Sequence, residues 1–161
     1  GVSTDFSKLI GKILLKNRDT QVVAICGKNR ALKHKLEIDY AEQEMVKILG
    51  YTENMREWMQ TADVLITKAG GVTISEALAS NIPLILFNPV PGQEMENAIY
   101  FRKNRMAKIA KNLEEVLACL EELFFEDNIK KIKYNMTKNY LPHASYNICK
   151  DIMGILELNK I

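Results

Sequence analysis

The stretch Gly70-Gly71-Val72-Thr73 holds the residues best suited to chemistry. It follows the apolar run Val64-Leu65-Ile66-Thr67 and leads into a helical pattern expected to begin near Val72 or Thr73. Glycines let a ligand approach the backbone, and free amides at a helix start bind phosphate. Thr73 adds a hydroxyl donor. On its own, Gly-Gly before a helix is equally a tight turn. Glu76 sharpens the reading, because it lies roughly one turn inside the helix, about 5 Å along the axis from Thr73. That is comparable to the separation between a nucleotide's phosphate and its ribose hydroxyls, and one carboxylate accepts from both vicinal hydroxyls. The competing reading is an exposed Glu stabilised by the helix N-terminus.

A second polar loop, Pro89-Val90-Pro91-Gly92-Gln93-Glu94, stops one apolar run and opens the next helix. Gln93 and Glu94 would project from its first turn. An amide beside a carboxylate suits sugar hydroxyls, which need both donors and acceptors. Helix capping with a favourable N-terminal charge is the alternative.

Other chemistries lack their residues. No GxGxxG follows a strand, and Gly27 rather than an acidic residue follows the run ending at Cys26, which disfavours NAD. A GxxxxGK[ST] phosphate loop is missing too. Three scattered cysteines (Cys26, Cys119, Cys149) and two histidines (His34, His143) do not make a metal site. No metal or cofactor is expected. His34, in a lysine-rich helical segment, and His143, after Pro142, read as solvated or surface residues.

These loops need elements to hold them. Short runs suited to strands recur: Val22 to Cys26, Val46 to Leu49, Val64 to Thr67, Leu84 to Phe87 and Met106 to Ile109. Several are apolar throughout, as expected of parallel strands covered on both faces. Amphipathic helices lie between them. Phe6, Leu9, Ile10, Ile13 and Leu14 form one stripe, with Ser3 and Thr4 as cap candidates. Met55, Trp58, Met59 and Ala62 form another after Thr52, and Leu113, Val116, Leu117, Leu120 and Phe124 a third after Asn112. The tail from about Glu126 to Lys160 reads as helical with an interruption near Pro142, and Ile148, Ile152 and Ile155 as the buried face of the last helix.

The alternation predicts an α/β fold, a Rossmann-like doubly wound parallel sheet in one domain over residues 1–161. Such folds normally start with a central strand, whereas Gly1-Val2-Ser3-Thr4 reads like the end of a strand–glycine loop. The first strand is therefore expected upstream, although a fold starting with a helix remains an alternative.

Composition agrees with an ordinary core: 47% hydrophobic and 26% charged residues in a chain of 161. Twenty-two basic against 20 acidic residues give a net charge of +2, so bulk charge does not argue for nucleic-acid binding. The odd, scattered cysteines fit a reducing compartment. With no apolar run of membrane-spanning length and no signal peptide, a cytoplasmic protein, peripheral to the membrane surface, is expected.

Three segments in the right order and spacing resemble one family. They are Gly50-Tyr51-Thr52-Glu53-Asn54-Met55, the stretch from Asp63 to Leu78 containing Ala69-Gly70-Gly71-Val72-Thr73, and Asn88 to Glu94. They are similar to the donor-binding half of monogalactosyldiacylglycerol synthases and diacylglycerol glucosyltransferases, relatives of the transferase that makes lipid II. The resemblance runs from about residue 1 to 155. It implies the C-terminal half of a GT-B enzyme, with the lipid acceptor and the catalytic base in a missing N-terminal half. The last helix, from about residue 142, would face that half.

By this resemblance, the backbone around Tyr51, Thr52 and Met55 would read uracil, and Gly27 would join the UDP-binding set. Gly70, Gly71, Val72 and Thr73 would hold the diphosphate, Glu76 the ribose, and Gln93, Glu94 and Asn97 the sugar. Ala69 departs from the proline often found before the two glycines. The implied reaction moves a hexose from UDP-hexose to diacylglycerol with inversion, and no catalytic base is assigned here. Three alternatives stand beside it. One is a complete donor-binding subunit that docks on a membrane-bound partner chain. Another is a UDP-N-acetylglucosamine 2-epimerase, whose histidines and acidic residues are not found in the loops. The third is a receiver-like signalling domain, for which only Glu53 and Glu76 supply acids near strand ends.

Overall fold

Runs of aliphatic residues too short for stable helices pair instead as strands. In the computed structural model, which describes residues 2–16 and 19–158, five such runs do so. They are β1 (Val22–Ile25), β2 (Val46–Leu49), β3 (Leu65–Thr67), β4 (Leu84–Phe87) and β5 (Ala107–Ala110). Each agrees with its sequence expectation to within a residue. Cys26 and Val64 fall just outside β1 and β3, and β5 sits one residue later than expected.

The helices are α1 (Val2–Lys16), α2 (Arg30–Asp39), α3 (Met55–Thr61), α4 (Gly71–Ala79), α5 (Gln93–Lys103), α6 (Leu113–Phe124), α7 (Asn128–Asn139) and α8 (Ala144–Leu158). Local side-chain caps explain two of the starts. The Asn29 side chain accepts from the Leu32 amide at 3.0 Å to open α2. Asn112 accepts from the Glu115 amide at 2.9 Å while Glu115 accepts from the Lys111 amide at 2.8 Å, a reciprocal cap that opens α6. Thr52 does not cap α3 as expected. Asn54 takes that position, and the Thr52 hydroxyl accepts from the Asn54 amide at 3.1 Å instead. Ser3 and Thr4 fall inside α1 rather than before it.

All strand pairs are parallel, but the ladders do not join into one sheet. β1 pairs with β2, with Val22 opposite Val46. β3 pairs with β4 and β4 with β5, with Leu65 opposite Leu84 and Leu84 opposite Ala107. The order is thus β2-β1 and β3-β4-β5. Both orders are segments of the order 3-2-1-4-5-6 of a doubly wound fold. The parallel α/β class agrees with the sequence reading, and the expected single sheet is replaced by two.

α1 ties the two sheets together. It packs against α2 on one side and α6 on the other. The Tyr40 hydroxyl, just past α2, donates to the Ser7 carbonyl, and Ser7 donates to Asp39 at 2.6 Å. Lys12 pairs with Glu114 of α6 at 2.7 Å, and Lys16 with Glu121.

Leu84, Ile85 and Leu86 of β4 are completely buried at the centre of the core. Leu9 and Ile13 of α1, Ile74 and Ala77 of α4, Phe101 of α5 and Val116 and Leu123 of α6 surround them. Burial of β4 on both faces explains why it is apolar throughout.

Three expectations about packing fail. The core face of α6 uses Leu123, leaving Phe124 52% exposed. Ala62 ends α3 in the open. Ile148, Ile152 and Ile155 share one face of α8, as their spacing requires, yet all three are more than half exposed. Among the described residues that face stays largely open to solvent. Periodicity identifies an apolar face but not whether this chain covers it.

Candidate functional site

Within each sheet the parallel strands put their carboxyl ends on one edge, so the polar loops after β1 and β2 gather together, as do those after β3 and β4. The chain changes sheet in the connection from β2 to β3, and the topological switch of the fold falls there. Ligand sites in open α/β sheets form at such switches.

On the β1–β2 side, the chain leaves β1 through Gly27, whose φ of +56° lies in the left-handed region that favours glycine. Gly27, Gly50 and Tyr51 line a cleft of about 520 Å³, with Lys28, Arg30 and Lys33. The lysine and arginine side chains here carry no role in the sequence reading. Their signal was legible, because Lys-Asn-Arg follows directly on the glycine at a strand end. They make this end of the site electropositive, although Lys33 is paired with Glu37. Tyr51 is 68% exposed. Thr52 is half-buried, and Met55, at the start of α3, packs its side chain on the core. Cys26, just before Gly27, is half-buried, and burial pushes its thiol up, so it does not act as a thiolate near neutral pH.

On the other side, α4 begins at Gly71, one residue earlier than the earliest expected start. Gly70 precedes it in extended conformation, and no side chain caps the helix. The amides of Gly71, Val72 and Thr73 belong to the first turn and have no intrahelical acceptor. A methyl group added at Gly70 or Gly71 would meet nothing within 4 Å. The earlier start moves Glu76 to about 7.5 Å along the axis from Gly71. Glu76 still shares a face with Val72 and Thr73, at i−4 and i−3. It is exposed, as is Val72.

Asn97 has a job that its spacing did not disclose. Its amide nitrogen donates to the Ala69 carbonyl at 3.0 Å, fastening α5 to the loop just before Gly70. The side chain therefore holds the glycine loop, leaving its carbonyl oxygen for any ligand.

Gly92 caps α5 at φ +99° and ψ −143°, a region open essentially to glycine alone. Gln93 is exposed on the first turn. Glu94 is partly occupied, because its carboxylate accepts from the Val90 amide at 3.3 Å. Asn88, where the chain leaves β4, has a φ of +44°, and its amide donates to the Ala110 carbonyl at 2.7 Å. His34 and His143 are both exposed and lie apart from these loops.

Gly27 and Tyr51 therefore share one cleft on the β1–β2 side. The Gly70–Thr73 turn, Glu76 and Asn97 form a second group on the β3–β4 side, with Gln93 and Glu94 on the next helix. These loops offer cations beside Gly27, uncapped amides and open glycines at the start of α4, and amide and carboxylate side chains at Gln93 and Glu94. That combination suits a phosphorylated sugar derivative.

Comparisons with known proteins bear on this edge. Residues 4–152 match the model of the glycosyltransferase family 28 C-terminal domain. The chain is 40% identical over 158 residues to a processive diacylglycerol beta-glucosyltransferase of Staphylococcus haemolyticus (strain JCSC1435), covering 98% of this chain and 40% of that protein. It is 42% identical over 158 residues to the protein of the same name in Staphylococcus carnosus (strain TM300), again covering 98% and 40%. The chain thus spans about two fifths of the length of these relatives. Among solved structures, a glycosyltransferase from Rickettsia africae ESF-5 superposes with a TM-score of 0.65 at 18% identity, over 94% of this chain and 44% of that one. A UDP-N-acetylglucosamine 2-epimerase superposes with a TM-score of 0.64 at 17% identity, over 81% of this chain and 34% of that one. At these identities the two structures establish the fold only.

Proposed function

From the premise that this chain belongs to the glycosyltransferase family 28 C-terminal domain family, we propose that it is the UDP-sugar-binding half of a hexosyltransferase acting on a lipid acceptor such as diacylglycerol. The observation that carries the reading is the start of α4. Its amides at Gly71, Val72 and Thr73 have no cap, and two glycines leave them open to a ligand. A helix N-terminus with about half a positive charge suits a diphosphate.

In this reading the diphosphate rests on Gly70 to Thr73, Glu76 accepts from the ribose hydroxyls, and the base lies toward Gly27 and Tyr51 to Met55. The hexose lies toward Gln93 and Glu94. Asn97 acts by holding the Ala69 carbonyl and hence the glycine turn. The acceptor hydroxyl attacks the anomeric carbon, the bond from that carbon to the UDP oxygen breaks, and the hydroxyl proton passes to a base. UDP leaves with an added negative charge, which the α4 amides are already oriented to receive. A β-linked product, as the relatives' names specify, requires inversion from an α-linked UDP-sugar.

The acceptor site and the base are assigned to the rest of a longer chain. The exposed face of α8, with Ile148, Ile152 and Ile155, is assigned to contact that part. The lipid acceptor makes the cytoplasmic membrane surface the place of work.

Calorimetric titration with UDP, UMP and ADP tests the proposal. UDP is expected to bind more tightly than UMP, because the second phosphate reaches the α4 amides, and more tightly than ADP. Equal, weak binding of all three would remove the site from this edge.

A further inference from the structure

A second cleft lies away from the donor edge, on the outer side of β5 between the end of α5, α6 and α7. It has a volume of about 940 Å³. Gln93 and Arg102 stand at opposite ends of α5, about 14 Å apart by helix rise, so this cleft is separate from the sugar end of the proposed donor site.

Its charge is one-sided. Arg102, Arg105, Lys108, Lys130 and Lys131 line it, against only Glu122 and Asp127. Lys108 is paired with Glu122, and Lys130 with Asp127 at 2.7 Å. Arg102 and Arg105 have no carboxylate within ion-pair distance among the described residues, and Lys131 reaches only the Asn128 side chain at 3.5 Å. The turn carrying Arg105 is fixed in place, because its carbonyl accepts from Asn135 of α7 at 3.2 Å.

The floor is apolar, with Ala107, Ile109 and Ile132. Beside it, between the lining residues Glu122 and Asp127, α6 ends in Phe124 and Phe125, which are 52% and 64% exposed. Tyr134, 61% exposed, stands on the rim. Adjacent phenylalanines in an open turn are unfavourable in water and favourable at a bilayer interface. Clustered lysine and arginine beside them attract anionic lipid headgroups. A soluble phosphate would use the cations but would leave the aromatic residues without a purpose.

We propose that this face docks the domain on an anionic phospholipid surface, with headgroup phosphates at Arg102, Arg105 and Lys131 and the Phe124–Phe125 turn at the acyl boundary. The inference does not depend on the donor site, and vesicle binding without any nucleotide tests it separately.

The experiment is co-flotation of the chain with vesicles of phosphatidylcholine alone and of phosphatidylcholine with roughly one third phosphatidylglycerol, at physiological salt. The expected result is strong preference for the phosphatidylglycerol vesicles. The triple variant R102Q/R105Q/K131Q should lose roughly 100-fold in that affinity, at about 5-fold per cation, with unchanged thermal stability and UDP binding. The F124S/F125S variant should lose binding to the same vesicles while keeping its fold by circular dichroism. Adsorption through the exposed face of α8 would be equal on both vesicle types and unaffected by either variant, and that outcome overturns the proposal. So does abolition of vesicle binding by inorganic phosphate but not by chloride of equal ionic strength, which would make the cleft a site for a free phosphate.

Discussion

Replacing Gly71 by Ala separates the two reasons a glycine can sit at the start of α4. Gly27 and Gly92 are the described glycines with positive φ; Gly71 is helical and Gly70 extended. An added Cβ at Gly71 touches nothing within 4 Å. Neither backbone strain nor packing therefore calls for glycine there. Alanine should leave the fold intact and stabilise it by about 0.4–1 kcal/mol, through a less flexible unfolded chain. Its methyl would, however, occupy the space over the open amides. Losing one charge-assisted amide–phosphate hydrogen bond costs about 1.5–3 kcal/mol, or roughly 10- to 150-fold in UDP affinity. Thermal melting without ligand and calorimetry with UDP read the two effects on one sample. Gly92→Ala is the contrast, because its left-handed backbone should cost about 1–3 kcal/mol of stability. If Gly71→Ala is stable and binds UDP as the parent does, the turn is not a phosphate site. If it is destabilised, the conformational argument is wrong.

Glu76→Gln should weaken UDP binding by about 1–2 kcal/mol and affect 2′,3′-dideoxy-UDP much less; equal losses, measured by titration of both ligands, would make Glu76 structural. Gln93→Ala should spare UDP affinity and weaken UDP-hexose, and a matching loss for UDP alone would move Gln93 out of the sugar pocket. The Lys12 ammonium, through its hydrogen bond, holds the Glu114 carboxyl below the usual glutamate range. The contribution of this ion pair is thus present above that range and lost as pH falls below it. NMR titration should find the Glu114 carboxyl returned toward the ordinary range in Lys12→Ala; an unchanged carboxyl would mean the pair does not form.

The strands and most helices were legible because their signals are local. An apolar run such as Leu84 to Phe87 is a buried parallel strand wherever it occurs, and Asn112 caps α6 through a neighbour three residues away. The helix starts that carry the glycine turn, Glu76 and the Gln93–Glu94 pair were legible for the same reason, since glycine freedom and helix starts are short-range. What escaped depends on distant partners. Nothing near Asn97 in the sequence discloses that its amide reaches back 28 residues to Ala69. The separation into two sheets is likewise a matter of which strand lies beside which. The face of α8 failed for the opposite reason: Ile148, Ile152 and Ile155 have the spacing of a core stripe, but spacing does not supply a partner. Lys28 and Arg30 were visible and passed over, because single cations in a loop are common.

Among the described residues no ladder joins the β1–β2 sheet to the β3–β4–β5 sheet, and this seam gives the two sheets different freedoms in this chain. No backbone ladder crosses it among these residues, so β1, β2 and α2 can loosen from the rest by giving up chiefly the contacts of α1, the Tyr40–Ser7 and Ser7–Asp39 hydrogen bonds among them. In native-state hydrogen exchange the amides of β1 and β2 should open at lower free energy than those of β4, as a separate cooperative unit. UDP bound as proposed would lie across this seam, its base on one unit and its diphosphate on the other. The nucleotide would then act as the tie that the backbone lacks, slowing exchange in β1 and β2 far more than in β4.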